Sequence, residues 1–125
     1  MTGYPSAAET LRATLRRDLT AAMKARQPDE VAALRTAIAA IDNAEAVAAP
    51  AAAPAATSAH IAGARAGLGA AEAARRQLTA DELRDILRAQ LATCTREADR
   101  YAGHGQAAAA ERLRNQASLL SRYLS

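Results

Sequence analysis

The residues of this chain that could do chemistry are few and widely spread. Cys94 is the single cysteine, and His60 and His104 are the two histidines. A zinc site draws on about four His or Cys ligands, and these three scattered residues do not supply one. Cys94 falls on the apolar face of its helix, the setting of an inert buried thiol rather than a nucleophile. His104 stands between Gly103 and Gly105 at a helix end, where solvent or the helix dipole accounts for it. Gly63, Gly67 and Gly69 match a phosphate loop in glycine content alone. They follow no strand and lack the Gly-Lys-Ser/Thr ending. Asp42 and Glu45 are carboxylates at i and i+3, for which solvated charge near a helix end is the simpler account. No catalytic residue, metal or cofactor is expected.

Glu45 is the exception to a purely solvated reading. Its helical angle sets it close to the apolar face formed by Val31, Leu34, Ile38 and Ile41. A carboxylate there needs an arginine from a neighbouring helix or the linker backbone, because an unpaired buried charge is costly. Arg35, Asp42 and Asn43 lie beside the same face. With Glu45 they form a polar edge that serves either structure or recognition.

The elements that must position these residues are helices. Half of the 125 residues are hydrophobic, chiefly alanine, and the aromatics are 2%, all tyrosine. Alanine is the strongest helix former, and strand-favouring runs are missing. Ser6 and Glu9 have capping-box spacing and open a helix over about 7–26, with Leu11, Leu15, Leu19, Ala22 and Met23 on one face. Pro28, Asp29 and Glu30 suit the first turn of a second helix over about 29–48. The connection is so short that these two must form an antiparallel hairpin.

Residues 49–69, rich in Ala, Pro and Gly, read as a flexible or irregular segment, followed by a short helix over about 70–77. Thr79 and Glu82 form a second capping box, and Leu83, Leu87, Gln90, Leu91, Cys94, Ala98 and Tyr101 then share a face over about 80–102. Gly103 and Gly105 end that helix. A last one over about 106–124 presents Ala109, Leu113, Gln116, Ala117, Leu120, Tyr123 and Leu124. The expected architecture is all-α: two antiparallel hairpins packed as a four-helix, bundle-like domain around the 31–47 stretch.

Charge narrows the partners. The formal net charge is +3, but residues 1–45 carry six cations and six anions, and residues 79–125 carry seven and six. The remaining excess is a weak basic patch of Arg65, Arg75 and Arg76 in the middle segment. Nothing in this distribution resembles a dedicated nucleic-acid stripe. A lone cysteine fits a reducing compartment, the N-terminus lacks the pattern of a secretory signal, and charged residues interrupt every helix. A cytoplasmic protein without a membrane span is expected.

Several stretches together carry a family resemblance. Leu34-Arg35, followed by Ile41-Asp42-Asn43-Ala44-Glu45, resembles the Leu-Arg…Ile-x-Asn-Ala-Glu signature of the GatB/YqeY family. Asp18-Leu19-x-x-Ala22-Met23-Lys24-Ala25 is similar to that family's first helix. Leu78-Thr79-x-x-Glu82-Leu83, Tyr101-Ala102-Gly103-His104, Glu111 and Tyr123-Leu124 follow in the family's order. His60-Ile61-Ala62-Gly63-Ala64 and Gly67 to Glu72 resemble the actinobacterial branch. The resemblance implies a helical accessory domain related to the tail region of the GatB component of the glutamine-dependent aspartyl/glutamyl-tRNA amidotransferase. Family members are expected to continue past the Tyr123-Leu124 position into a second small helical domain, and this chain stops at Ser125. Its segment 46–77 is also longer than the common pattern.

The expected function is a non-catalytic helical accessory or interaction module, associated through the resemblance with tRNA amidation or translation. It would have a protein partner and at most weak tRNA binding. A component of a carbon–nitrogen ligase using glutamine is the alternative, since that label comes with the family. A third reading is a self-associating scaffold, a homo-oligomer built on leftover apolar residues such as Ile86 and Leu119.

Overall fold

The computed structural model of the chain describes residues 4–48 and 77–125. Its regular structure there is α1 (Ala7–Lys24), α2 (Pro28–Ala48), α3 (Ala80–Gly103) and α4 (Ala107–Ser121), with no strand among the described residues. The architecture is all-α, helix packed on helix. The basic patch of Arg65, Arg75 and Arg76 and the irregular segment 49–69 lie outside the described residues. So does the short helix expected over 70–77, apart from Gln77, which is not helical.

Local chemistry sets the helix ends. The Ser6 hydroxyl accepts from the Glu9 N–H at 3.1 Å, and the Glu9 carboxylate accepts from the Ser6 N–H at 2.9 Å. Thr79 and Glu82 make the same reciprocal pair at 3.1 and 2.9 Å before α3. Each box satisfies backbone donors that a helix start leaves free.

α1 stops at Lys24, two residues short of the sequence expectation, because Arg26 takes a left-handed φ of 57°. The Gln27 N–H then donates back to the Ala22 carbonyl at 3.0 Å, and the Arg26 N–H to Met23 at 3.2 Å. This is the Schellman closure usually built on glycine. α3 ends the same way with Gly105 at φ 75° and Gln106 donating to Tyr101 at 2.9 Å. α4 gives way after Ser121 to tight turns in which Tyr123 donates to Leu120 and Leu124 to Ser121, each at 3.1 Å.

α2, like α3, is in contact with all three other helices. Leu34 and Ile41 are fully buried on it, together with Leu15 of α1, Leu83 and Leu87 of α3 and Leu120 of α4. Each such side chain stabilises by about 1.5–3 kcal/mol relative to exposure. Ala33, Ala37, Ala98 and Ala110 are also fully buried, so the helices approach over small residues and close a core that has few large side chains.

The buried arcs differ from the expected ones at several points. On α2 the buried set is Ala33, Leu34, Ala37, Ile41 and Glu45, while Val31 and Ile38 sit at its margin. Met23 is 48% exposed rather than in the core. Ala110, not Ala109, is the buried alanine of α4, and Leu119 is buried beside Leu120. α4 packs against both α3 and α2, so it buries a wider arc than a one-sided helix does.

Candidate functional site

The polar edge expected on α2 lies along the seam between α1 and α2. In an antiparallel hairpin, residues at comparable distances from the turn face one another across the seam. Glu45 therefore meets Arg12, and the two form a buried ion pair with side chains 11% and 12% exposed. One turn further along, Arg16 and Asp42 stand 3.6 Å apart with both side chains more than half exposed. Nearest the turn, the Arg35 guanidinium lies 4.0 Å from the Met23 sulfur. Asn43 faces solvent. Arg35, Asp42, Asn43 and Glu45 thus do not converge on one point. Each takes its own place on a ladder of contacts.

Little room is left at this seam. The cavity beside it, lined by Arg12, Leu15, Arg16, Ile38, Ile41 and Asp42, measures about 10 Å³, the space of roughly one water. The Glu45 carboxylate is held against the Arg12 guanidinium. Among the described residues Arg12 Nε is buried without a hydrogen-bond partner.

A second polar junction sits where α4 runs out against α1. The Tyr123 hydroxyl donates to the Asp18 carboxylate at 2.6 Å. Burial, and then the bond to Asp18, raise the Tyr123 phenol well above its ordinary value. A cleft of about 290 Å³ opens here between Asp18, Glu30, Leu119, Arg122 and Tyr123. A neighbouring one of about 240 Å³ is lined by Gln27, Asp29, Asn115 and Ser118. Asp29 accepts from the Asn115 amide at 3.1 Å and stands 3.9 Å from Arg112. These clefts are shallow, and Asp18 and Asp29 already hold α4 and the turn after it to the first hairpin.

Other residues weighed from the sequence fall as follows. Cys94 is buried, its sulfur 4.0 Å from the Gln116 amide oxygen, and burial pushes its thiol up in pKa. His104 is exposed, with Nδ1 3.0 Å from the Arg100 carbonyl oxygen, which places its proton on Nδ1. Gln90 donates to the Ala33 carbonyl at 3.1 Å while its own oxygen is buried without a partner. Among the described residues, no group of three or more His, Cys, Asp or Glu could hold a metal ion. No described helix is long and apolar enough to cross a membrane. Leu119 is 3% exposed and Ile86 packs against the core. The two residues named for a self-associating scaffold are thus engaged inside the fold.

Two pairings escaped sequence reasoning. Nothing local says which arginine meets Glu45, and Arg12 lies 33 residues away. Asp18 and Tyr123, 105 residues apart, have no local signal that pairs them. No family model, curated protein or solved structure matches this chain.

Proposed function

We propose that this chain is a non-catalytic helical interaction module. The observation that carries the reading is the fate of Glu45. It is the most chemically promising position of the stretch that resembles the GatB/YqeY signature, and Arg12 neutralises it in a buried ion pair beside a cavity of only about 10 Å³. The neighbouring Arg16–Asp42 pair spans the same seam. On this reading the signature is an assembly device that fixes the register of the first hairpin. The resemblance directs the search for partners to tRNA-dependent amidation and translation, with a protein as the principal contact.

The test is a tRNA titration at near-physiological salt, run beside a glutamine-dependent amidation assay on misacylated tRNA. Binding no tighter than about 10⁻⁶ to 10⁻⁴ M, fading steeply with salt, is the expected result. Amidation by the chain alone would overturn the reading in favour of a carbon–nitrogen ligase component. Tight, salt-resistant tRNA binding would replace it with an RNA-binding function.

A further inference from the structure

The six cations and six anions of residues 1–45 balance in sequence, but the fold separates them. Glu45 is buried against Arg12. Asp18 accepts from Tyr123 on the α4 side, Asp29 from Asn115, and Glu30 lines the cleft beside Arg122. Glu9 is engaged in the first cap. Four of the six carboxylates are thereby committed to the core, to α4 or to a helix start, and Glu30 lies on the α4 side.

Of the six cations, Arg12 is committed to Glu45 in the core. Arg16, Arg17, Lys24 and Arg35 are all exposed. Arg17 and Lys24 lie two turns apart on one stripe of α1, and Arg35 reaches across from α2 to the sulfur of Met23. Asp42, itself half exposed, shares this side 3.6 Å from Arg16, and the exposed Glu9 lies two turns before Arg16 on α1. Arg17 has a contact with Asp18 at 3.8 Å, but that carboxylate's other oxygen is held by Tyr123. Exposed pairs at such distances are worth little and leave the cations available. Met23 lies beside Arg35 as a half-exposed apolar side chain.

We infer that this outer face of the α1–α2 hairpin docks an acidic amphipathic helix of a partner protein. The inference rests on the interaction-module reading and names its surface. Charge complementarity gives the sign of the occupant, since a cationic field raises both the encounter rate and the selectivity for an acidic partner. Met23 gives its second property. An apolar side chain beside Arg35 matches the apolar stripe of an amphipathic helix, whereas a phosphate backbone has nothing apolar to set against it. Asp42, on the same side as the cations, repels phosphate and offers a peptide amine or amide an acceptor. The choice therefore falls on protein rather than RNA.

The experiment uses the full chain and a labelled synthetic helical peptide of Glu and Leu at amphipathic spacing, with an RNA homopolymer as the competing probe. The peptide should bind with marked salt dependence. The double reversal Lys24→Glu and Arg35→Glu should weaken it by about tenfold or more, whereas Asp42→Asn should strengthen it by about two- to threefold. The same change of net charge made with Arg88→Glu and Arg114→Glu, on α3 and α4, should alter binding by less than about twofold. Circular dichroism melts establish that each variant is folded.

No peptide binding, equal loss in the two double variants, or tighter binding of the RNA homopolymer would overturn the proposal. A native protein partner still retained by the Lys24→Glu and Arg35→Glu variant would also overturn it, while leaving the interaction-module reading in place.

Discussion

Arg12 and Glu45, 33 residues apart in sequence, form a buried ion pair that closes the first hairpin. Two charges taken out of water are stable only together, so the pair is worth less as a bond than it costs to break from one side. Arg12→Leu, which strands the carboxylate, should lower stability by about 3–5 kcal/mol. The double variant Arg12→Leu, Glu45→Leu should recover most of that loss. Denaturant melts of the single and double variants check this. Single losses that simply add in the double would show that the two residues are not coupled.

Tyr123 ties the end of α4 to Asp18, and its phenol is raised by burial first and by the bond to Asp18 second. The folded chain therefore holds this proton more tightly than the unfolded chain does. The stabilisation is fully present below the pKa of an unfolded tyrosine, about 10, and is lost as pH rises from there towards the folded value. The melting temperature of the parent should consequently fall more steeply above about pH 10 than that of Tyr123→Phe. At neutral pH the same substitution should cost about 1–2 kcal/mol for the lost charge-assisted hydrogen bond. Parallel slopes for the two proteins would refute the linkage.

Arg26 and Gly105 occupy equivalent left-handed positions at two helix ends, with φ of 57° and 75°. A side chain there costs about 1–2 kcal/mol, part of which glycine returns as extra freedom of the unfolded chain. Arg26→Gly should thus stabilise by about 0.5–1 kcal/mol, and Gly105→Ala should destabilise by a similar amount. A Cβ at Gly105 meets nothing within 4 Å, so the backbone alone would account for the second change. Thermal melts of the two variants moving in opposite directions are the expected outcome.

Gln90 buries an amide whose nitrogen serves the Ala33 carbonyl and whose oxygen has no partner. That carbonyl belongs to a helix and keeps its own helical bond when the amide is removed. Gln90→Leu should therefore be neutral or stabilising by up to about 1 kcal/mol, because the desolvated acceptor disappears. A loss of more than about 2 kcal/mol would mean that the amide is fully satisfied, as it would be by a bridging water.

Sequence alone determined whatever a few consecutive residues can settle. The all-α class, both capping boxes, the glycine stop after α3 and the apolar stripe through Leu83, Leu87, Cys94 and Ala98 rest on propensity, on contacts three residues apart and on the helical period. So did the need of Glu45 for a cationic partner, because its angle on the helix is a local quantity.

The tertiary structure decided what depends on how each helix is rotated and on what lies opposite. It chose Arg12 as that partner, exposed Met23, buried Leu119 and brought Tyr123 to Asp18 across almost the whole chain. Helical spacing fixes a stripe only to within about one side chain, and an alanine-rich helix packs nearly as well when turned by that amount. Neighbouring helices select the final rotation, through contacts that have no counterpart in the order of residues. The same selection engaged Asp18, Asp29 and Glu45 in contacts between helices while it left Arg16, Arg17, Lys24 and Arg35 exposed. Composition cannot show this, because it counts charges without recording which way they face.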